Sequence, residues 1–254
     1  MKEFISIILI LVLLNGCATI TGPSVSQEEI REAQEQLKVK ALGYQLKQLE
    51  RLNYIGYRLI AYLSGEDLKR APTPYLGIYV FNIDKYLKQL YNLVQDHGCV
   101  VGVVIENSPA KKAGIMSGDV LISIDNLKVK NSTDFYALSK RFSIGQIIQL
   151  EISRNYKTQI IPVKIDPVPL NIPIVMLDIQ EVNAAASSKG IFVTYGLMQF
   201  AKSDDEIAAV LGHELAHIVR GHVKKAQGAQ IISTLAAIAL GVVAENASPG
   251  TGNI

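Results

Sequence analysis

Apolar residues change their spacing along the chain, and each spacing predicts a different kind of element. Residues 26–63 carry an apolar residue at close to every third or fourth position, which predicts an amphipathic helix. Ser26 and Glu29 form a capping box at its start. The pattern fits one long helix or two. Because it is not a strict heptad, it favours packing on a globular body over a coiled-coil stalk.

From Tyr75 onward the apolar period falls to two, which predicts short strands that each bury one face. Val101, Val103 and Ile105 form one such alternation. Helical spacing returns after a second capping box that begins at Ser203. Helices at both ends with strands between them predict an α+β fold.

Prolines mark the boundaries between these regions. Pro72 and Pro74 precede the strands, and Pro167 and Pro169 follow them. We therefore expect four segments: a signal peptide in residues 1–17, a tether and helix in 18–72, a β-rich domain in 73–166, and a mainly helical part in 167–254.

The N-terminus has the pattern of a secretory signal. Residues 4–14 are apolar apart from Ser6, and the run is too short for the ~20 residues that a membrane-spanning helix needs. The run ends in Asn15-Gly16-Cys17, which resembles a lipobox and implies lipidation of Cys17. A lipidated cysteine would hold the protein at a membrane surface. By resemblance to Gram-negative lipoproteins, Ala18 favours the outer membrane, so we expect a lipid-anchored, periplasm-facing envelope protein. An ordinary signal peptide or membrane anchor is the alternative.

Charge and cysteine content exclude other classes of function. The net charge is +2 and no long basic run is present, so the chain has no electrostatic footprint for nucleic acid. Two cysteines are too few for a disulfide framework. Cys99 lies in an apolar run, which predicts a small buried side chain.

His213, Glu214 and His217 are the residues with the clearest chemistry. On a helix, residues four apart lie on one face, so both imidazoles can reach one zinc ion at ~2.0–2.1 Å. Glu214 would then take the proton from a metal-bound water as it attacks a peptide carbonyl. The alternative is two surface histidines beside an exposed glutamate. The apolar flanks of the motif weigh against that alternative.

Three motifs within residues 75–165 resemble a PDZ domain of the bacterial HtrA type. They are Tyr75-Leu76-Gly77-Ile78, Ser108-Pro109-Ala110 with Ala113-Gly114-Ile115, and Gly118-Asp119-Val120-Leu121. The resemblance implies that the first motif turns backbone N–H groups towards a peptide's terminal carboxylate. The peptide would then add as a strand beside it. A PDZ domain that serves only as a scaffold or autoinhibitory module is the alternative.

Residues 174–225 resemble the HtpX-type zinc metallopeptidases. The resemblance rests on Asn183-Ala184, on residues 190–197 and on residues 205–217. It implies one zinc ion, protein or peptide substrates, and a mainly helical gluzincin-type domain into which the PDZ unit is inserted. It also places Asn183 and Ala184 at an edge strand where substrate pairs. Ala185 and Ala186 depart from the family pattern, which leaves the fine substrate preference open.

The third zinc ligand is missing from the sequence pattern. The resemblance implies a glutamate in a later Glu-x-x-x-Asp-like motif, and only Glu245 follows the histidines. We therefore expect a truncated peptidase domain. The first hypothesis is an envelope zinc metalloendopeptidase in protein quality control, whose PDZ domain binds substrate termini or regulates access. The alternatives are a catalytically incomplete, peptidase-like lipoprotein that acts as a PDZ peptide-binding module, and a purely structural lipoprotein.

Overall fold

The computed structural model describes residues 25–64, 68, 71–187 and 189–221. The expectations for Cys17, for the signal and for Glu245 lie outside these residues. The described residues divide into two compact units between Lys38 and Val39. Within the described ranges, no helix has both the length and the apolarity needed to cross a membrane.

Six helices and eleven strands lie in the described part of the chain. The helix predicted over residues 26–63 is a single one, and Ser26 and Glu29 cap it reciprocally as expected, with Glu29 accepting from the Ser26 N–H at 2.7 Å. The elements are α1 (Gln27–Ala61), β1 (Thr73–Tyr75), β2 (Ile78–Asn82), α2 (Lys85–Tyr91), β3 (Cys99–Val104), α3 (Pro109–Lys112), β4 (Val120–Ile124), β5 (Leu127–Lys128), α4 (Ser132–Ser139), β6 (Ile147–Arg154), β7 (Lys157–Lys164), β8 (Asp166–Val168), β9 (Ile174–Leu177), β10 (Ala184–Ser187), β11 (Gly190–Thr194), α5 (Tyr195–Phe200) and α6 (Asp204–Val219).

The central region folds as an antiparallel sheet in the order β2-β3-β4-β6-β7, with β5 paired to β4. Apolar side chains from one face pack with Phe135 of α4 and Ala110 of α3. Cys99 is fully buried in this core, as expected, and burial raises the pKa of its thiol to about 12. Asp119, only 1% exposed, receives a two-pronged ion pair from Arg154, so this motif residue has a structural role.

The prediction of one buried face for the strand at Val101 is wrong. Val101 and Val103 point to opposite faces, because Gly102 forms a bulge between the pairs Tyr79↔Val103 and Val80↔Val101. All of β3 is buried, since its second face packs against α1 and α2. The alternation of apolar residues in the sequence cannot show that Gly102 is an extra, bulged residue or that helices cover the second face of the strand.

Strands β1 and β8 connect the central sheet to the rest of the chain. They pair antiparallel, with Thr73 opposite Val168 and Tyr75 opposite Asp166. The chain therefore enters and leaves the central sheet side by side.

A second core is built from residues that precede and follow the central sheet. Strands β9, β10 and β11 form a three-stranded sheet in the order β10-β11-β9, with β11 parallel to β9 and antiparallel to β10. Leu52 and Ile55 of α1 share one cluster with Val193 of β11 and Leu211 of α6. Helices α1 and α6 thus meet in one apolar core.

A buried polar clamp joins α1, β2 and β9. The amide of Asn53 donates to the carbonyl oxygens of Ile174 and Leu49, both at 3.0 Å. The Tyr79 hydroxyl donates to Asn53 Oδ1 at 2.6 Å and accepts from the Ile174 N–H at 3.3 Å. The side chains of Asn53 and Tyr79 therefore bind both the backbone C=O and the N–H of Ile174, at the start of β9. Burial raises the pKa of Tyr79 well above its usual range.

Candidate metal centre and peptide-binding edges

Helix α6 presents the histidine motif, and two contacts fix its first turn. The Ser203 hydroxyl accepts from the Glu206 N–H at 3.3 Å, as the capping box predicted. Glu206 itself accepts from Lys202 instead of from Ser203. Arg51 of α1 donates to Asp204 at 2.7 Å, which ties the start of α6 to α1.

The two histidines of α6 form a pair that fits one metal ion. Their Nε2 atoms lie 3.1 Å apart, and the rings are 4.7 Å apart with an interplanar angle of 85°. Two nitrogens at this separation can both bind one zinc ion at ~2.0–2.1 Å, with an angle of roughly 100° at the ion, close to tetrahedral. His213 is exposed, while Glu214 and His217 are half-buried. The ion would therefore be accessible to a substrate.

The described residues supply two ligands and no third. Within the ranges that the structure describes, no group of three or more His, Cys, Asp or Glu side chains could hold a metal ion. Two histidine nitrogens leave the positions for a water and a further ligand to be filled from elsewhere.

Strand β10 lies beside the histidine helix. It is an outer strand of its sheet, and α6 packs against it and against β11. Ala184 begins the strand and pairs with Val193, and Asn183 precedes it. The structure therefore brings together the two features that the sequence assigned to the site, the histidine helix and the strand at Asn183 and Ala184.

The loop between β1 and β2 turns two backbone N–H groups outward. The carbonyl of Leu76 accepts from the Ala110 N–H at 3.0 Å, and that of Gly77 accepts from the Ile105 N–H at 2.9 Å. In a trans peptide the N–H of the next residue points opposite to the carbonyl. The N–H groups of Gly77 and Ile78 therefore face away from Ala110 and Ile105, as carboxylate binding requires.

Strand β2, which follows this loop, has one edge open in its sheet and lies next to α4. Tyr136 of α4 hydrogen-bonds the backbone of Val80 in the middle of β2, and burial raises the pKa of its phenol to about 12. A peptide that pairs along the whole of β2 must displace this contact.

Tyr75, assigned to the same loop from the sequence, has its side chain elsewhere. Its ring stacks on Tyr57 of α1, with centroids 5.1 Å apart and planes within 9°. Burial raises its pKa well above the usual range. The backbone of Tyr75 thus leads into the loop, while its ring packs against the core formed by α1 and α6.

Fold and site together define a chain with a PDZ-like sheet and a peptidase-like histidine helix. Residues 42–165 match the model of the PDZ domain, and residues 149–252 match that of peptidase family M48. The chain therefore carries a peptidase family M48 region and a PDZ domain. The predicted resemblance to a metallopeptidase family with a PDZ domain is confirmed.

Relatives of both kinds are found. Metalloprotease LoiP of Escherichia coli is 34% identical over 90 residues, which is 34% of this chain and 35% of LoiP. A probable periplasmic serine endoprotease, DegP-like, of Pseudomonas putida is 32% identical over 95 residues, or 37% of this chain and 20% of the relative. The chain thus spans about a fifth of the DegP-like relatives' length and about a third of LoiP. The solved HtrA-type protease AlgW with decapeptide is 24% identical, covers 38% of this chain and 30% of its own, and has a TM-score of 0.36.

Sequence reasoning missed the residues that support these sites. Asn53 and Tyr79 belong to no recognisable motif. The position of Asn53 among the apolar residues of α1 was nevertheless a visible signal of a buried polar contact. Thr194 lies inside the segment that carried the peptidase resemblance, but its hydroxyl contacts could not be read from the sequence.

Proposed function

We propose that this chain is a zinc-dependent metalloendopeptidase of the bacterial cell envelope that degrades damaged or misassembled proteins. The observation that carries the proposal is the 3.1 Å Nε2 pair of His213 and His217 beside Glu214, on a helix packed against an outer strand. The M48 match and the LoiP relative support a protease. One bound zinc ion would polarise the substrate carbonyl and lower the pKa of a bound water.

Each residue of the site has a separate task in this proposal. His213 and His217 hold the ion through Nε2, and Glu214 receives the proton of the attacking water and passes it to the leaving amine. The outer edge of β10, from Ala184 onward, offers backbone groups to which an extended substrate segment pairs, while Asn183 leads into this edge with its own backbone groups bonded to Thr194. A strand added in this way recognises main chain rather than side chains, which suits unfolded proteins as substrates.

The PDZ domain would bind C-terminal segments of substrates, at the N–H groups of Gly77 and Ile78 and along β2. A lipid on Cys17 would anchor the chain at the envelope, facing the periplasm and more naturally on the outer membrane. We further propose that the peptidase region forms the mainly helical gluzincin-type domain that the resemblance implied. Its third zinc ligand would lie outside the described residues.

A second candidate function follows from the two-ligand site. If Glu245 or another group does not complete the coordination, the chain is a peptidase-like lipoprotein whose working part is the PDZ groove. The observation that favours it is the lack of a third metal ligand within residues 25–64, 71–187 and 189–221.

Zinc content separates the two functions. The chain without its first seventeen residues is expected to keep about one zinc ion after dialysis, by the three-ligand rule for catalytic sites. It should also cleave casein, lose that activity with a chelator, and regain it with added zinc. His217→Ala should retain no zinc, whereas His97→Ala, at an exposed histidine of the PDZ region, should match the parent. Zinc retained by His217→Ala would show that the metal binds elsewhere, and a zinc-free parent that binds peptides would favour the second function.

Peptide binding by the PDZ loop is tested at Gly77. This residue has φ +85°, and an added Cβ would lie 2.2 Å from Ser108 Cβ, so Gly77→Ala must displace the loop. We expect it to weaken binding of a labelled peptide ending in valine at least about tenfold, since the N–H groups of Gly77 and Ile78 would no longer point at the terminal carboxylate. Fluorescence anisotropy measures the affinity, and the same peptide with an amidated C-terminus reports the carboxylate contribution.

Gly145→Ala is the matched control for this variant. Gly145 has φ +83°, but nothing lies within 4 Å of an added Cβ, and the residue is exposed. It imposes the same backbone strain away from the loop and should leave the affinity unchanged. Equal binding by Gly77→Ala and the parent would rule out the loop as the carboxylate site.

A further inference from the structure

Thr194 stands where strand β11 ends and helix α5 begins. It is 5% exposed, has an extended backbone (φ −77°, ψ 150°), and its hydroxyl accepts from the Leu197 N–H at 3.3 Å. The carbonyl of an N-cap residue already accepts the first hydrogen bond of the helix. The Thr194 carbonyl therefore accepts a hydrogen bond within α5 and is not available to accept one from β10.

The hydroxyl of Thr194 takes the place of that carbonyl in the ladder. The Asn183 N–H donates to Thr194 Oγ1 at 3.0 Å, while the Thr194 N–H donates to the Asn183 carbonyl at 3.0 Å. As a donor, the hydroxyl faces the turn formed by residues 181–183, since Oγ1 lies 2.5 Å from the Glu181 carbonyl oxygen and 2.9 Å from that of Asn183. One donor and two acceptor positions are all that a hydroxyl has, and all are used.

Gly196 keeps the same turn close to the first turn of α5. Its N–H donates to the Ile179 carbonyl at 2.9 Å. A Cβ at Gly196 would lie 2.1 Å from the Gln180 carbonyl oxygen, so the chain before β10 crosses directly over this glycine. The segment that leads into β10 is thus held at two points, Thr194 at the N-cap of α5 and Gly196 in its first turn.

We propose that Thr194 is a positioning residue that fixes the start of β10, the strand along which substrate pairs beside the histidine helix. The inference rests on the proposed function for its substrate part. Without the hydroxyl, the Asn183 N–H and the Glu181 carbonyl lose their partner, and the first residues of β10 are free to shift against α6. Thr194 touches neither substrate nor metal, so its effect is on where the substrate strand lies.

Amide hydrogen exchange of the whole chain tests the positioning itself, without any need for activity. Thr194→Val removes the hydroxyl at nearly constant shape, and Thr194→Ser keeps it. We expect exchange in residues 181–187 to rise about tenfold or more in Thr194→Val, because the part-buried hydrogen bonds that hold Glu181 and Asn183 to the hydroxyl are lost. It should stay near the parent value in Thr194→Ser. Exchange in residues 99–104 should be unchanged in both variants.

Asp84→Ala is the control for a mere capping effect. Asp84 caps α2 in the PDZ region, where it accepts from the Leu87 N–H at 2.7 Å. This variant loses a helix cap of comparable strength and should leave exchange in residues 181–187 at the parent value. Unchanged exchange there in Thr194→Val, or an increase of the same size in Asp84→Ala, would overturn the positioning role.

Kinetics with casein test the substrate part. Thr194→Val should raise KM about tenfold with little change in kcat and in zinc content, and Thr194→Ser should restore KM. A fall in kcat at constant KM would overturn the substrate part, because a shifted edge strand weakens binding. Absence of cleavage by the zinc-loaded parent would overturn the proposed function and this part with it. The exchange result would still decide whether Thr194 fixes β10.

Discussion

Glu214→Gln is expected to lower the rate of casein cleavage about 10²–10⁴-fold, the range that a lost general base typically costs. Glutamine keeps the size of the side chain and its ability to accept a hydrogen bond, but it cannot take a proton from water. Zinc content should be unchanged, since Glu214 is not a ligand in this mechanism. Initial rates at saturating casein, with metal content measured on the same sample, give the result.

Glu206→Gln is the matched control for this change. Glu206 lies on the same helix, and its side chain accepts from the Lys202 N–H, a bond that an amide oxygen can also accept. This variant should cleave at the parent rate. If Glu214→Gln also cleaves at that rate, the hydrolytic mechanism proposed for this helix is wrong.

Asn53→Leu should lower the free energy of unfolding by about 2–4 kcal/mol, because it leaves buried polar groups without partners. Asn53 is 4% exposed, and its amide serves Tyr79 Oη and the carbonyls of Leu49 and Ile174. Leucine has the same branching at Cγ but makes none of these hydrogen bonds. Urea unfolding at neutral pH measures the change.

Two further variants isolate the clamp. Gln36→Leu makes the same amide-to-leucine change at an exposed position of α1 and should shift the free energy by less than about 0.5 kcal/mol. Tyr79→Phe removes the other side chain of the clamp. The double variant Asn53→Leu with Tyr79→Phe should lose less than the sum of the single losses, since removing both partners leaves fewer orphaned groups. Strict additivity would show that the two side chains do not act together.

Local signals predicted the elements of this fold well, because caps and apolar periods are set within a few residues. Ser26 and Ser203 cap the helices that the sequence assigned to them. The bulge at Gly102 escaped prediction, because it exists only relative to the partner strand β2. The second buried face of β3 depends in part on Leu46 of α1, which lies more than fifty residues earlier in the chain, beyond any local window.

The candidate metal site was predictable for the same reason, since His213 and His217 are one helical turn apart on a single element. The long-range contacts that support the site were not predictable. Asn53 and Ile174 are 121 residues apart, and Arg51 meets Asp204 across 153 residues. The position of the Tyr75 ring was also out of reach, since its partner Tyr57 lies on α1, beyond the break at Pro72 and Pro74. Pairings over such separations are decided by the fold as a whole.

The pairing of β1 with β8 has a consequence for how the peptidase region folds. Bringing Asn53 to Ile174 in an unfolded chain closes a loop of 121 residues. Once the PDZ sheet has formed, Thr73 and Val168 are neighbours, and the flexible chain left to close falls to roughly a quarter of that length. Two halvings of loop length are worth about 1 kcal/mol of chain entropy. The PDZ domain thus acts as an internal crosslink for the core around α1 and α6, and its folding lowers the entropy cost of assembling that core.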